Sequence, residues 1–248
     1  MRKVDGKVAF ITGASKGIGR AIALAFADEG AMVAGTYLPS EAAPDALTDE
    51  LVRRTGAGTL LPADAANESD VRESVARAVS LIGPIDILVA NAGYAELSSV
   101  AEMSVGAFDR MIAVHLRGTF LSVHEVLPSM IARGSGTIIT ISSQLAYIGA
   151  ENLAHYAAAK AGILGFTRSL AREVIRDGVR VNCIAPGAIA TGILSSTPEE
   201  DARLADHLPI GRLGRVEDVA PTAVFLASDE SAFYVGQVLS PNGGEVML

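Results

Sequence analysis

Short runs of β-branched and other apolar residues alternate with longer segments of helical periodicity along almost the whole chain. The strand-like runs are Val8–Thr12, Met32–Thr36, Gly58–Leu61, Ile85–Ala90, Thr137–Ser142, Val179–Ile184 and Gln237–Leu239. The helical segments between them lie near 18–29, 41–54, 68–81, 104–132, 152–176 and 216–227. Runs that are apolar on both faces are typical of parallel strands covered by helices on each side. The alternation therefore predicts an α/β fold, a doubly wound parallel sheet of about seven strands with helices on both faces.

Residues that begin and end helices stand at the limits of two of these segments. Gly30 follows the first helix, at the position where a left-handed residue commonly ends one. Asn67 precedes the third helix, and Asp70 stands three residues later, where a capping box places Glu or Gln. These signals predict a helix end at the first point and a helix start at the second.

The stretch 188–215 is the one long interruption of the pattern. It carries its own helix signal, with Thr197 as the N-cap, Pro198 as the first helical residue and Glu200 as the capping-box partner. An insertion of this length after a late strand is more typical of an active-site lid than of a passive loop. With no repeat or linker in the sequence, we expect one domain, residues 1–248, with a substrate lid at about 188–215.

Composition excludes several classes of function. Hydrophobic residues make up 50% of the 248 residues and charged residues 19%, which excludes a disordered chain. The formal net charge of −8 opposes binding to nucleic acid or to an anionic membrane. Cys183 is the only cysteine, and His124, His155 and His207 show no metal-ligand spacing, so no disulfide and no metal is expected. The chain start lacks the apolar core of a signal peptide, and no apolar run reaches the roughly 18 residues of a membrane span, so we expect a cytoplasmic protein.

A glycine-rich turn, residues 12–19, directly follows the first strand and opens the first helix. Its glycines, at 13, 17 and 19, permit a tight turn and the close approach of a pyrophosphate, and the N-terminus of the helix favours phosphate. The spacing is G-x-x-x-G-x-G rather than G-x-G-x-x-G, and glycines also occur in purely structural turns. Taken alone, the turn leaves both cofactor binding and a structural role open.

Three further segments follow this turn along the chain. Asn91-Ala92-Gly93 ends the fourth strand and Ser142-Ser143 ends the fifth, at the carboxyl edge where doubly wound sheets bind ligands. Tyr156 and Lys160 then form an i,i+4 pair on one face of a helix. A Tyr-x-x-x-Lys spacing by itself is a weak signal. Because the pair follows the glycine turn, the Asn-Ala-Gly segment and the serine in this order along the chain, coincidence is a poor explanation.

With these segments the chain resembles the short-chain dehydrogenase/reductase family over nearly its whole length. The run from Val181 to Gly187, Val-Asn-Cys-Ile-Ala-Pro-Gly, and Thr191 extend the likeness. The resemblance implies a Rossmann fold and an NAD(P)(H)-dependent oxidoreductase that interconverts a ketone and a secondary alcohol. It also implies a homotetramer built around the two long helices.

The resemblance assigns a role to each candidate catalytic residue. It makes Tyr156 the acid/base, Lys160 its helper and a holder of the nicotinamide ribose, and Ser143 the polariser of the substrate carbonyl. The cofactor contacts that it implies are Gly13, Ser15, Lys16, Gly17, Ile18, Gly19, Tyr37, Asp64, Ala65, Asn91, Ala92, Gly93, Tyr156, Lys160, Pro186, Gly187, Ile189 and Thr191.

Physical chemistry supports these roles independently. An isolated tyrosine has a pKa of about 10, too high for a base at neutral pH. A lysine cation one turn away, together with a positive nicotinamide, is expected to lower the pKa of Tyr156. In the reductive direction Tyr156 donates its proton, and the Ser143 hydroxyl donates a hydrogen bond to the developing oxyanion. For Ser142 we expect only an exposed hydroxyl at the end of the strand.

One position departs from the family pattern. The family usually has an asparagine where this chain has His115, and that asparagine helps to hold a water chain linking the lysine to solvent. Because histidine also hydrogen-bonds water, we expect His115 to keep this relay in altered form. The alternative is a helix histidine with no catalytic part.

The end of the second strand bears on the choice of cofactor. NAD-specific folds place an Asp or Glu there, about 20 residues past the glycines, and this chain has none. Glu41 comes later, in the segment expected to form the next helix, so a 2′-phosphate would meet no fixed negative charge. Lys16 is expected to act on it as a point charge, with Ser40 or Tyr37 adding hydrogen bonds. We therefore expect NADP(H) to be preferred. Because no arginine follows the strand, the phosphate clamp would be incomplete, so NAD(H) is also possible.

Other functions stay open. One alternative is a catalytically inactive NAD(P)-binding sensor or scaffold protein, although a binding module has no need of the Ser-Tyr-Lys set. Among enzymes the sequence leaves a 3-oxoacyl-carrier-protein reductase or a sugar or polyol dehydrogenase, acting on a small carbonyl or alcohol substrate. A chain with a net charge of −8 would repel an acidic carrier protein unless Arg133, Arg172 and Arg176 form a local basic patch. The expected pocket wall is mainly apolar and comprises Tyr94–Leu97, Gln144–Ile148, Ile189, Ile193, Leu194, Leu204 and Leu208.

Overall fold

The computed structural model describes residues 2–192 and 197–247. Its strands are β1 Val8–Ile11, β2 Met32–Tyr37, β3 Gly58–Pro62, β4 Ile87–Ala90, β5 Gly136–Ile141, β6 Val179–Ile184 and β7 Val238–Leu239. Its α-helices are α1 Gly17–Asp28, α2 Asp45–Thr55, α3 Glu68–Ile82, α4 Val105–Ile112, α5 Gly118–Arg133, α6 Leu145–Ile148, α7 Ala154–Val174, α8 Pro198–His207 and α9 Val216–Ala227. Its shorter turns are the π-helical Ala113–Arg117 and the 3₁₀ turns Ile175–Asp177 and Asp229–Ser231.

The seven strands form one parallel sheet in the order β3-β2-β1-β4-β5-β6-β7. This confirms the doubly wound α/β fold predicted from the sequence. The strand order reverses between β1 and β4, where Ile11 pairs with Gly35 on one side and Val89 on the other. The crevice at the carboxyl ends of such strands is where this kind of sheet binds ligands. The topology therefore brings the segments that follow β1, β2, β4 and β5 to one edge.

Two apolar cores cover the two faces of the sheet. Within β1, Ala9 and Ile11 pack into the core formed with α1, α2 and α9, while Val8 and Phe10 pack into the core formed with α3, α5 and α7. Successive strand residues point to opposite faces, so a strand buried on both sides must be apolar throughout. No helix among the described residues is both long enough and apolar enough to cross a membrane.

The predicted helix limits are mostly confirmed. Gly30 has a φ of +88°, the left-handed conformation expected after α1. The Asn67 side chain accepts hydrogen bonds from the backbone N–H groups of Ser69 and Asp70, so the N-cap is confirmed. The capping box is wrong, because the Asp70 carboxylate accepts from the backbone N–H of Asp64 at 3.0 Å instead.

The insertion 188–215 contains α8, which begins with the predicted reciprocal capping box. An isolated parallel bridge between Ile189 and Gly214 joins the two ends of the insertion. The expected pocket residues Ile193 and Leu194 lie outside the described residues.

Two predicted helices are interrupted or shortened. The segment expected near 41–54 begins only at Asp45, because Pro44 disfavours the helical conformation of the residue before it. The segment expected near 104–132 is split into α4 and α5 by the π-helical turn. The first correction leaves Glu41 outside α2, and the second places His115 in the π-helical turn.

Candidate active site

The glycine turn is braced by polar groups of the neighbouring strand ends. The backbone N–H of Gly13 donates to the Thr36 hydroxyl at 3.1 Å. The Asn91 amide donates to the carbonyls of Thr12 at 2.9 Å and Gly13 at 3.0 Å. Its donors are therefore committed to holding the turn. The sequence analysis did not single out Thr36, whose signal was a hydroxyl at the carboxyl end of an otherwise apolar strand.

The glycines leave a cradle that side chains would fill. Gly13 and Gly17 have φ values of +64° and +55°, in the region that favours glycine. A Cβ at Gly19 would lie 2.2 Å from the Gly13 carbonyl oxygen and 2.5 Å from the Asn91 amide nitrogen. Lys16 is the N-cap of α1, and its side chain makes no capping hydrogen bond. This arrangement fits the pyrophosphate of a dinucleotide.

Ser143 and Tyr156 meet at the carboxyl end of β5. The Ser143 side chain partly offsets the rise in pKa that burial causes at the Tyr156 hydroxyl, and it accepts a hydrogen bond from the backbone N–H of Leu145 at 3.2 Å. The expectation for Ser142 was wrong, because its hydroxyl is buried and donates to the Lys160 carbonyl at 2.8 Å. Ser142 therefore ties the strand end to α7, and this positions Lys160 beside Tyr156.

Burial dominates the electrostatics of the Tyr-Lys pair. It raises the pKa of Tyr156, and the hydrogen bond from Ser143 offsets only part of this rise. The Lys160 side chain is 3% exposed, its Nζ donates to the Ile141 carbonyl at 2.8 Å, and burial lowers its pKa to about 8. The lowered pKa expected for Tyr156 is therefore not produced by the protein groups alone, because desolvation of the phenol outweighs them.

The buried lysine predicts an unusual pH dependence of stability. Burial lowers the pKa of Lys160 from 10.5 to about 8, so between these values the unfolded chain binds more protons than the folded protein. The stability of the wild-type protein then rises with pH through this window. Relative to Lys160→Met, the wild-type free energy of unfolding is expected to gain about 1 kcal/mol between about pH 7 and pH 9.

Urea unfolding of both proteins across this pH range measures the difference. The comparison with Lys160→Met cancels the titration of other groups. A difference in unfolding free energy that does not change with pH would contradict the burial of a titrating Lys160.

His115 lies in the π-helical turn and points into the site. Its Nε2 is 2.8 Å from the Tyr94 carbonyl oxygen and 3.2 Å from the Tyr94 nitrogen, and its ring stands edge-on to that of Tyr156 at 5.3 Å. Burial, and then the charge of Lys160, lower the pKa of His115 well below its usual value, against a smaller rise from the Tyr94 hydrogen bond. The imidazole is therefore neutral. Its Nδ1 is buried and has no hydrogen-bond partner among the described residues.

Close packing explains why glycine stands at position 93, before Tyr94, and at position 118, where α5 begins after the π-helical turn. A Cβ at Gly93 would lie 2.4 Å from Cε1 of His115, so a larger residue would displace the ring. A Cβ at Gly118 would lie 2.8 Å from the Ala65 carbonyl oxygen. A π-helical turn inserts one residue and re-aims the side chains around it. Here it presents His115 to the site while the start of α5 stays close to Ala65, in the segment after β3.

The C-terminal segment borders the serine side of the site, which the sequence did not predict. The Gln144 amide nitrogen donates to the Glu245 carboxylate, and its carbonyl oxygen is buried with no partner among the described residues. A Cβ at Gly187 would lie 2.6 Å from the Asn242 Cα. The contact between Gln144 and Glu245 joins residues 101 positions apart, and no local sequence pattern signals it.

The far end of the cradle carries a carboxylate that the sequence did not place there. Glu41 lies 2.5 Å from the Lys16 Nζ, and its other oxygen accepts from the Ser15 hydroxyl at 3.1 Å. The expectation that a 2′-phosphate meets no fixed negative charge was therefore wrong, because Glu41 lies in a loop and not in α2. Asp64 is also engaged, since its carboxylate pairs with Arg110 at 2.8 Å.

Comparison with known proteins shows which family has this fold and this site. The family model described as Enoyl-(Acyl carrier protein) reductase matches residues 13–245. The chain is 36% identical over 242 residues to the 3-oxoacyl-[acyl-carrier-protein] reductase FabG of Staphylococcus aureus strain Mu50, and the match covers 97% of this chain and 98% of that one. The chain belongs to the short-chain dehydrogenase/reductase family.

Other similarities of this short-chain dehydrogenase/reductase also span its length. It is 37% identical over 246 residues to the 3-oxoacyl-[acyl-carrier-protein] reductase FabG of Thermotoga maritima, covering 99% of this chain and 100% of that one. The solved structure of a blue fluorescent protein from a metagenomic library, in complex with NADPH, matches with a TM-score of 0.91 and 33% identity, covering 99% and 100% of the two chains. The chain is thus an NAD(P)-dependent oxidoreductase.

Proposed function

We propose that this protein reduces the keto group of a 3-oxoacyl thioester, with NADPH as the preferred cofactor and NADH as a second one. The observation that carries the proposal is that the Ser143 and Tyr156 hydroxyls lie at one edge of the sheet, beside the glycine cradle, with the buried Lys160 one turn along α7. Relatives of matching length that are named 3-oxoacyl reductases support the choice of substrate class.

The protein groups suit the reductive direction. The raised pKa of Tyr156 keeps its phenol protonated at neutral pH, ready to give the proton to a carbonyl oxygen. The Ser143 hydroxyl donates a hydrogen bond to the same oxygen as negative charge develops on it. The nicotinamide cofactor, when bound, supplies the hydride for the carbonyl carbon. Lys160 would hold the nicotinamide ribose.

The cofactor contacts predicted from the sequence belong to this proposal. Gly17 lies close to the segment after β6, since a Cβ on it would be 3.7 Å from the Thr191 Cβ. That segment, with Pro186 and Ile189 nearby, would therefore cover the cradle from the side opposite Asn91. The role of 188–215 as a lid and the cytoplasmic location stay predictions.

We propose that His115 acts as a positioning residue that supports Tyr156 and the loop at Tyr94 while staying neutral. We expect the pH profile of kcat/KM to show no ionisation near the usual histidine range, and to keep its shape in His115→Asn. Initial rates between about pH 5.5 and pH 8 for both proteins measure this. An ionisation near pH 6.5 that is present in the wild type and lost in His115→Asn would show instead that the imidazole titrates during turnover.

The description of the matching family model supports a second candidate, reduction of the conjugated double bond of an enoyl thioester. The two hydroxyls converge on a single oxygen, which favours reaction at the carbon attached to that oxygen. The inactive sensor or scaffold is disfavoured, because a cofactor-binding module has no need of the complete set of Ser143, Tyr156 and Lys160.

We propose a homotetramer that covers the apolar surface of the long helices. Phe108 on α4 and Phe120 on α5 are 42% and 47% exposed, and Phe120 packs edge-on against Phe166 of α7. Exposed aromatic side chains of this kind mark interaction surfaces. Light scattering is expected to give about four times the chain mass of 25.6 kDa, and a monomer would contradict the proposal.

The experiment that tests the proposed function measures cofactor consumption with matched substrate panels. NADPH and NADH are each offered with acetoacetyl-coenzyme A, crotonyl-coenzyme A, simple ketones and ketoses. The proposal predicts the highest kcat/KM for acetoacetyl-coenzyme A with NADPH. Consumption with none of these substrates, or a preference for crotonyl-coenzyme A or a ketose, would overturn it.

A further inference from the structure

A tight turn after β2 brings Glu41 back over the glycine turn. The backbone N–H of Glu41 donates to the Leu38 carbonyl at 2.8 Å. Pro39 occupies the second position of this turn, where the fixed φ of proline is favoured. Because α2 begins only at Asp45, the turn rather than a helix sets the position of Glu41.

Both carboxylate oxygens of Glu41 are used by side chains of the glycine turn. One lies 2.5 Å from Nζ of Lys16, and the other accepts from the Ser15 hydroxyl at 3.1 Å. The Glu41 side chain is 29% exposed and that of Lys16 is 74% exposed, so the carboxylate is the more enclosed partner. It also lies beside the N-cap of α1, where the helix dipole favours negative charge.

These contacts are the ones that a 2′-phosphate would need. NADPH differs from NADH only by this phosphate on the adenosine ribose, and a phosphate monoester carries about −1.5 to −2 charges at neutral pH. Lys16 is the cation expected to act on this phosphate, Ser15 is the hydroxyl that shares its carboxylate, and Glu41 already engages both. The free hydroxyls of NADH have no such conflict, because they donate to a carboxylate at this end of the site.

We infer that Glu41 is a specificity-determining residue that competes with the 2′-phosphate of NADPH for Lys16 and Ser15. It limits the preference for NADPH and gives NADH a partner for its ribose hydroxyls. The inference rests on the proposed function, since it assumes that the cradle takes a nicotinamide dinucleotide.

Direct binding of two adenosine nucleotides to the wild-type protein and to Glu41→Gln tests the competition without turnover. Adenosine 2′,5′-bisphosphate carries the 2′-phosphate, and adenosine 5′-monophosphate does not. Calorimetry is expected to show that Glu41→Gln binds the bisphosphate about tenfold more tightly, since one repulsive charge is removed. The gain should shrink at high salt, and the affinity for the monophosphate should not rise.

Asp49→Asn is the matched control. Asp49 is an exposed carboxylate of α2, and its removal changes the net charge by the same amount as Glu41→Gln. It is expected to alter the affinity for both nucleotides by less than about twofold, because surface charges beyond a Debye length are screened. An equal gain in Asp49→Asn would show a general charge effect and overturn the inference.

The same three proteins are then compared by kcat/KM with NADPH and NADH. Glu41→Gln is expected to raise the NADPH-to-NADH ratio by at least tenfold. If the wild type binds and uses a cofactor but neither the ratio nor the bisphosphate affinity changes in Glu41→Gln, the inference fails and the proposed function stands. If the wild type binds neither nucleotide and consumes neither cofactor, the proposed function fails and the inference falls with it.

Discussion

Tyr156→Phe is expected to lower kcat for carbonyl reduction by about 10²–10⁴-fold. The substitution removes the hydroxyl whose proton the phenol would give to the carbonyl oxygen. The ring remains packed edge-on against His115, so the fold should be kept. Steady-state kinetics with saturating cofactor and a 3-oxoacyl thioester measure the loss.

Tyr234→Phe is the matched control, because it removes one phenol hydroxyl from a ring that packs against Phe225, away from the Ser143–Tyr156 pair. Its kcat should stay within about twofold of the wild type, as expected for a surface substitution. The Tyr156→Phe protein should still bind the cofactor, because the glycine cradle is untouched. A kcat of Tyr156→Phe near the wild-type value would show that Tyr156 is not the acid of the reaction.

Gly19→Ala is expected to weaken cofactor binding by about 10–100-fold, in line with the cost of overpacking a close-packed site. The new Cβ would lie 2.2 Å from the Gly13 carbonyl oxygen and 2.5 Å from the Asn91 amide nitrogen. The glycine turn must therefore shift, and the hydrogen bonds that Asn91 makes to it must be lost or lengthened. Fluorescence titration with the reduced cofactor measures the affinity.

Gly106→Ala is the control for this substitution. Gly106 lies in α4, where a Cβ would meet only the Ser104 hydroxyl at 3.9 Å. Because alanine is the better helix former, Gly106→Ala should keep the wild-type cofactor affinity and leave stability unchanged or slightly raised. Equal affinities for Gly19→Ala and the wild type would mean that the cofactor does not sit over the glycine turn.

The sheet could be predicted because its strands are buried on both faces. A run such as Ile87–Ala90 is apolar throughout, and only a parallel strand covered on each side by helices suits it. Ser143 could be placed for a related reason, since carboxyl ends of parallel strands share one edge. Tyr156 lies on a helix, and the family resemblance supplied its role. Lys160 follows from Tyr156 by one turn of helix.

Other features depend on contacts that no local pattern carries. The π-helical turn adds one residue to a helix whose apolar periodicity continues on both sides, so the periodicity does not reveal it. The Glu41–Lys16 pair depends on a turn at Pro39 and on two long side chains from different loops. The upward shift of the Tyr156 pKa depends on how deeply the phenol is buried, which sequence spacing does not show.

The most direct test of the account follows the hydrogen that reaches the substrate. Acetoacetyl-coenzyme A is incubated with NADPH carrying deuterium at the transferable position of the nicotinamide, and the product is examined by mass spectrometry and NMR. The account predicts a 3-hydroxyacyl thioester with one deuterium on C3, formed by the wild type at least a hundredfold faster than by Tyr156→Phe. Unlabelled product, no product, or equal rates for the two proteins would contradict it.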